Sequence, residues 1–316
     1  MEKRICLFET QYSLMVYLLL DRQWDTRQYI LTSERISEIA ERMRLAGVDV
    51  SITPVMQWCN KHLLRYHYLW KKVNKMLRYI IAVWSMTNKQ VPVYGQDHIF
   101  YARCFFNHDF YLIEDGMMSY QPYEFLQENA REKTFTDQYV TCGWNKYVKK
   151  IFFIGRKAIP DGLRNKSEVF NPQERWDELS EKEKSKLLTV LGCDKNKIMG
   201  LVNSGRVNIL LTQPCYEHDG ITIEGHIQGY RKILCNYDMS TVIIKPHPED
   251  VVEYEKIFPE CAILRDRFPF ELCYFIKIPF KKIISINSTS TMSGLWDAAY
   301  IDTYGDMYEK MKEYSR

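Results

Sequence analysis

Short runs of apolar β-formers alternate along this chain with stretches whose apolar residues fall at helical spacing, a pattern that fits a parallel sheet covered by helices. Ile5-Cys6-Leu7-Phe8 is the first run, and Tyr12, Met15, Val16, Leu19 and Leu20 then predict a helix. A second strand is expected at "QYILTS", a helix through "ERISEIAERMRLAG" ending at Gly47, and a third strand at "VDVSITP". "VPVYGQDHIFYARCFFNHDFYLIEDG" repeats strand, helix, strand. The pattern restarts at "VNILLTQP", with a helix at "GITIEGHIQGYRKILCNYD", a strand at "STVIIKPHPED" and a short helix at "VVEYEKIF". A strand at "CAILRD", a helix opened by Pro269, the strand "KKIISI" and a charged C-terminal helix follow. Between the two series, roughly residues 155 to 205 are charged and broken by Pro160, Gly162 and Pro172, with Ser180 and Glu183 forming a capping box. This stretch is the expected seam. A chain of 316 residues is long for one core and comfortable for two. The expected fold is α/β, with two Rossmann-like domains, residues 1–195 and 196–316, facing each other across a central ligand-binding cleft.

Both series deliver polar residues to strand carboxyl ends, where open parallel sheets build their sites. Glu114-Asp115-Gly116 follows "FYLI", His247-Pro248 follows "TVIIKP", and Asn287-Ser288-Thr289-Ser290-Thr291 follows "KIISI". Asp115, with backbone room at Gly116, suits a general base for a hydroxyl group, although Asp-Gly is also a common turn pair. Glu114 either orients Asp115 or caps the next helix. His247 is held between Pro246 and Pro248, which restrict the backbone on both sides. It suits a general acid toward a departing phosphate, with Lys245 adding positive charge, or a structural role. Ser288, Thr289 and Ser290 lead into an expected helix, whose first turn would bind an anion or be capped without one. Glu271, beside Pro269 at another helix start, could accept from a ribose diol or complement the helix dipole. Gln213 is a further strand-to-loop site residue.

Composition narrows the classes. Forty-three basic against 40 acidic residues give a net charge of +3, too small for a nucleic-acid footprint, and no nucleic-acid partner is expected. The 22 Tyr, 15 Phe and 7 Trp point to core and domain interface, with sugar stacking as the functional alternative. The nine cysteines include no CxxC pair, and Cys6, Cys104, Cys235 and Cys273 lie in apolar runs, so reduced, buried thiols of a cytoplasmic protein are expected. Cys and His are too scattered for a zinc site. There is no GxGxxG, P-loop, HExxH or DxD pair, which argues against hydride transfer, kinase-type phosphoryl transfer, zinc proteolysis and a nucleotide-bound metal. No cofactor and no metal are expected. The longest uncharged N-terminal stretch, Gln11 to Leu20, is too short to span a bilayer and no signal-peptide pattern is present. Residues 61–84 predict a basic, aromatic-rich helix, packed with one solvated face or lying peripherally on the inner face of the plasma membrane.

Together these residues resemble the bacterial sialyltransferases of glycosyltransferase family 52, which act on lipooligosaccharide and capsular polysaccharide. The resemblance is carried by "EDG" at 114–116, "HP" at 247–248, "PFE" at 269–271 and the hydroxyl run within "NSTST" at 287–291, and it spans the first strand to about residue 300. The hydroxyl run departs from the family by reading Ser288-Thr289-Ser290 where a Ser pair is often found. The resemblance implies a GT-B fold and metal-free, inverting transfer of sialic acid from CMP-sialic acid to a terminal galactose of a surface glycan, free or lipid-linked. It implies an acceptor-binding first domain with Asp115 as base. It implies a CMP-binding second domain with His247 as acid, Ser288 and Thr289 on the phosphate and Glu271 on the ribose. A homodimer is compatible with this. The family also holds transferases of other sugars, so a nucleoside diphosphate donor such as UDP-glucose is an alternative. A non-catalytic glycan-binding subunit of a polysaccharide assembly complex is another, resting on the aromatic residues and the basic helix.

Overall fold

The computed structural model describes residues 4–52, 91–99, 102–128, 140–217, 220–292 and 294–316. The helix expected over residues 61–84, and with it the membrane-surface reading, lies outside them. The chain divides into two compact units, Met1–Leu191 and Gly192–Arg316.

The first unit is built on a seven-stranded sheet of order β3-β2-β1-β4-β5-β6-β7. Its strands are β1 (Ile5–Phe8), β2 (Gln28–Leu31), β3 (Asp49–Ile52), β4 (Val93–Gly95), β5 (Phe110–Ile113), β6 (Val148–Phe153) and β7 (Ser167–Val169), and every pairing is parallel. β1 is buried along its whole length, as expected of a strand covered on both faces. Helix α1 (Gln11–Leu20) follows it, capped by Thr10, whose hydroxyl accepts the Ser13 N–H at 3.3 Å. Helix α2 (Ser37–Leu45) ends before Gly47, in the left-handed region at φ +82. The strand order reverses between β1 and β4, where the backbones approach so closely that a Cβ on Gly95 would lie 2.1 Å from the Leu7 carbonyl oxygen. The helix expected between β4 and β5 is one 3-10 turn, Ala102–Phe105. β6 and β7 were not anticipated from the sequence.

The charged stretch read as the seam folds back onto the first unit as far as Leu191. Ser180 and Glu183 form the expected capping box, with the Ser180 N–H donating to Glu183 at 2.8 Å and the Glu183 N–H to the Ser180 hydroxyl at 3.3 Å. The helix they open, Glu181–Leu191, is tied to the loop after α1 by Lys186 and Asp25 at 2.6 Å.

The second unit carries a five-stranded parallel sheet of order β10-β9-β8-β11-β12. Its strands are β8 (Asn208–Leu211), β9 (Val242–Lys245), β10 (Ala262–Ile263), β11 (Lys282–Ser285) and β12 (Ile301–Thr303). The order reverses between β8 and β11, so both units place a topological switch point beside their first strand. Tyr230, Ile244, Tyr254 and Ile284 lie in this unit's core. The segment after β11 is not the expected helix: the Thr291 and Met292 N–H groups both return to the Ser288 carbonyl, at 3.1 and 3.2 Å, closing a single turn. Among the described residues of this segment, no helix-dipole site for an anion is formed. The helix after Pro269 is also short, Leu272–Phe275. Cys6 and Cys273 are buried as expected, whereas Cys235 is exposed at the end of the helix Ile223–Leu234. Among the described residues, no helix is long and apolar enough to cross a membrane.

Candidate active site

In the first unit, the carboxyl ends of β1, β4 and β5 bring Thr10, Ser13, Gln96, His98, Glu114 and Asp115 together. Asp115 Oδ1 takes the Thr10 hydroxyl at 2.7 Å and lies 2.7 Å from the Ser13 hydroxyl, which also faces the Glu114 carbonyl at 2.8 Å. The Asp115 N–H donates to Ser119 Oγ at 2.7 Å. Its other oxygen, Oδ2, faces His98 Nε2 at 3.5 Å, and the side chain is 21% exposed. Gly116 turns the chain at φ +64.

The donor directions in this cluster are set by Gln96, which is fully buried directly after β4. Gln96 Oε1 accepts the Glu9 N–H at 2.7 Å and lies 3.4 Å from the Thr10 N–H, so its amide nitrogen must point the other way, to Thr10 Oγ1 at 3.2 Å. A hydroxyl that accepts from Gln96 has its own hydrogen left for Asp115. Burial raises the Glu9 carboxyl above its ordinary range, opposed by His98 and reinforced by Asp115.

Glu114 does neither of the two things the sequence left open. Its carboxylate turns into the core, taking the Tyr12 hydroxyl, the Tyr120 hydroxyl at 2.6 Å and the Ile154 N–H at 2.8 Å, with Arg156 Nε at 3.9 Å. Burial raises its pKa and these hydrogen bonds pull it back. Of two adjacent carboxylates, one holds the sheet ends together and the other faces outward.

In the second unit, the carboxyl ends of β8, β9 and β11 surround a cleft of about 270 Å³ lined by Gln213, Cys215, His247, Glu249, Asn287 and Tyr308. Pro248 is exposed in the turn beyond His247, and its carbonyl accepts Arg267 Nη2 at 3.2 Å. Glu271 is buried and accepts the Ser290 hydroxyl at 3.1 Å, which brings two of the sequence-derived residues together. Ser288 is buried and Thr289 exposed. Lys245 points away from the cleft mouth: its ammonium donates to the Asp266 carbonyl at 2.7 Å and lies 3.9 Å from the centre of the Phe268 ring. Burial lowers its pKa to about 8. Among the described residues, no group of three or more His, Cys, Asp or Glu could hold a metal ion.

A carboxylate with one saturated oxygen and one outward-facing oxygen is equipped to take a proton from a hydroxyl group. The cleft lined by His247 does not include the joined pair Glu271 and Ser290, and a histidine lining a cleft at strand carboxyl ends is equipped to serve an anionic ligand. The model of glycosyltransferase family 52 matches residues 65–296. The chain belongs to glycosyltransferase family 52.

This family 52 member is 33% identical to an uncharacterized protein of Haemophilus influenzae over 218 residues, 69% of either chain. Its structure is similar to that of a 2,6-sialyltransferase from Photobacterium sp. JT-ISH-224 in complex with CMP and lactose, with a TM-score of 0.64, 12% identity and coverage of 95% of this chain and 71% of that one. The GT-B domain of a sialyltransferase from Photobacterium damselae is similar at a TM-score of 0.59 and 11% identity, covering 99% and 96%. The UDP-GlcNAc 2-epimerase of Methanocaldococcus jannaschii is similar at 0.52 and 14%, covering 99% and 91%. The fold of this glycosyltransferase is GT-B.

The sequence singles out Asp115 and His247 in this family 52 chain but not Thr10, Ser13, Gln96 and His98 around Asp115, nor Thr212 and Asp250, whose hydroxyl and carboxylate are joined at 2.7 Å with the Thr212 hydroxyl accepting the His247 backbone N–H. Three of these could have been found by the rule that found the motifs. Thr10 lies two residues beyond β1, and Gln96 and Thr212 directly follow β4 and β8, so they are among the first polar residues beyond buried strands.

Proposed function

We propose that this glycosyltransferase is an inverting sialyltransferase that moves sialic acid from CMP-sialic acid to a terminal galactose of a bacterial surface glycan. Asp115 Oδ2 takes the proton of the acceptor hydroxyl as its oxygen attacks C2 of sialic acid. The C2–O bond to the CMP phosphate breaks, and His247 gives the departing phosphate oxygen a proton. Thr289 and Ser290 contact that phosphate in place of the expected pair Ser288 and Thr289, because Ser288 is buried, and Glu271 takes the ribose. Single displacement needs base and acid on opposite faces of C2, and it turns the donor's β-linkage into an α-linkage. No metal enters the scheme, because the chain has no DxD pair.

The observation that carries the reading is Asp115, whose Oδ1 is occupied at 2.7 Å by Thr10 while Oδ2 faces outward beside His98. The fold shared with a sialyltransferase solved with CMP and lactose supports this donor and acceptor. A nucleoside diphosphate donor is the second reading, favoured by the likeness to an epimerase solved with UDP-GlcNAc and UDP.

Incubation with CMP-sialic acid and lactose, followed by mass spectrometry, is expected to yield sialyl-lactose and CMP. CMP, and not UDP or GDP, is expected to raise the melting temperature, since a ligand that binds only the folded state stabilises it. If CMP-sialic acid is neither hydrolysed nor transferred, and UDP alone stabilises the protein, the second reading replaces the first.

A further inference from the structure

A buried carboxylate that takes no part in the proposed chemistry stands directly behind His247. Asp250 Oδ2 accepts the Thr212 hydroxyl at 2.7 Å and the Tyr254 hydroxyl at 2.6 Å, and Oδ1 accepts the Val252 N–H at 3.1 Å, with the Tyr216 hydroxyl at 3.3 Å. Asp250 is 7% exposed, so its oxygens are satisfied by these donors rather than by water.

The hydrogen bonds of this cluster run toward Asp250. The Thr212 hydroxyl donates to Asp250, and its lone pairs face the His247 backbone N–H, which donates to it at 3.1 Å. The Tyr254 hydrogen likewise goes to Asp250, so His226 Nε2, 2.8 Å from Tyr254 Oη, carries its own hydrogen. The backbone is tied at a second point, where the Asp250 N–H returns to the His247 carbonyl at 2.9 Å and closes a turn with Pro248 in its second position. Within that turn the Glu249 N–H donates to His247 Nδ1 at 3.3 Å. A backbone N–H can only donate, so Nδ1 accepts and the neutral ring carries its hydrogen on Nε2.

We propose that Asp250 and Thr212 are positioning residues for His247: through the Thr212 hydroxyl and the turn from His247 to Asp250 they fix where the imidazole stands. The proposal rests on His247 acting at the leaving phosphate. It goes beyond that reading in assigning how the histidine is held, and in extending the site through Asp250 and Tyr254 to the buried His226.

The test compares Thr212→Val, which keeps the shape and loses the hydroxyl, with Thr212→Ser, which keeps the hydroxyl. Asp250→Asn is included because its amide places a donor where the chain of hydrogen bonds requires an acceptor, and His247→Ala serves as the reference. Full-length proteins are assayed with CMP-sialic acid and lactose, and the ring nitrogens are observed by NMR of histidine-labelled protein at neutral pH. Thr212→Val and Asp250→Asn are expected to lower kcat roughly 10- to 100-fold, with KM for CMP-sialic acid changed less than about threefold, because a small misplacement of a reacting group is costly. Thr212→Ser is expected to recover most of the rate. The His247 ring signals are expected to shift in Thr212→Val and Asp250→Asn and to keep the wild-type positions in Thr212→Ser.

A wild-type kcat and unchanged ring signals in Thr212→Val overturn the proposal even when His247→Ala is inactive. Full activity in His247→Ala removes the reading of His247 as acid, and the ring signals then still decide the positioning claim. Should Asp250→Asn fail to fold, Thr212→Val and Thr212→Ser decide it alone.

Discussion

Thr10 and Asp115, 105 residues apart in the chain, are joined by a hydrogen bond of 2.7 Å from the Thr10 hydroxyl to Asp115 Oδ1. The same threonine caps helix α1 through the Ser13 N–H at 3.3 Å. One side chain thus starts the helix that covers the sheet and holds the proposed base. Thr10→Val is expected to lower kcat about tenfold, with KM for the donor unchanged. Loss of the cap costs about 1 kcal/mol, so its melting temperature falls as well. Thr10→Ser separates the two effects, since it keeps both hydrogen bonds and should keep both properties in steady-state kinetics and thermal melts.

The proposed base has a sharper test. Asp115→Asn retains an oxygen for Thr10 and Ser13 but cannot take a proton, so transfer to lactose is expected to fall by about 10²-fold or more. Its CMP-induced thermal shift should equal that of the wild type. Transfer at the wild-type rate by this variant would remove Asp115 from the mechanism.

Glu114 has the opposite character. Its carboxylate accepts from Tyr12, from Tyr120 at 2.6 Å and from the Ile154 N–H at 2.8 Å, so Glu114→Gln would set an amide N–H against a donor inside the core. The expected loss is about 2 to 3 kcal/mol of stability, read from urea denaturation, with CMP affinity unchanged because nucleotide binding is assigned to the other unit.

His226 makes stability depend on pH. Burial lowers its pKa to about 4 against an ordinary value of 6.5, with Asp250 opposing the shift and Tyr216, Tyr230 and Tyr254 packed around the ring. Below pH 6.5 the unfolded chain takes up a proton that the folded one refuses, so stability is present at neutral pH and is lost as pH falls toward 4. Between pH 7 and pH 5 the loss from this group is about 2 kcal/mol. Urea titrations at the two pH values should show it, and His226→Leu should flatten the dependence whatever its own stability.

Much of this architecture was legible because buried parallel strands announce themselves as uninterrupted apolar runs. β1, β8 and β9 are buried at every position, and each had been expected. Weaker strands escaped. β6 reads "VKKIFF", with two lysines at its start, and β7 is three residues with two of them exposed. The expected helix after "KIISI" failed for a local reason. Ser, Thr and Asn hydrogen-bond to nearby backbone and so favour turns over helix continuation, and the Thr291 hydroxyl does this by donating to the Ser288 carbonyl at 2.7 Å.

Two parallel α/β units and the polar residues at their strand ends can be read from the chain alone, because hydrophobic period and strand-terminal polarity are local properties. Asp115 and His247 were accessible on that basis. What surrounds them was decided only by tertiary structure. Gln96 reaches Thr10 across 86 residues, and Thr212 reaches Asp250 across 38, because the strand order sets β4 against β1 and β9 against β8. Which of Glu114 and Asp115 is buried was likewise open in the sequence. Neighbouring residues at a strand end point to opposite sides, and only the packing of Tyr12, Tyr120 and Arg156 on one side makes that side the interior.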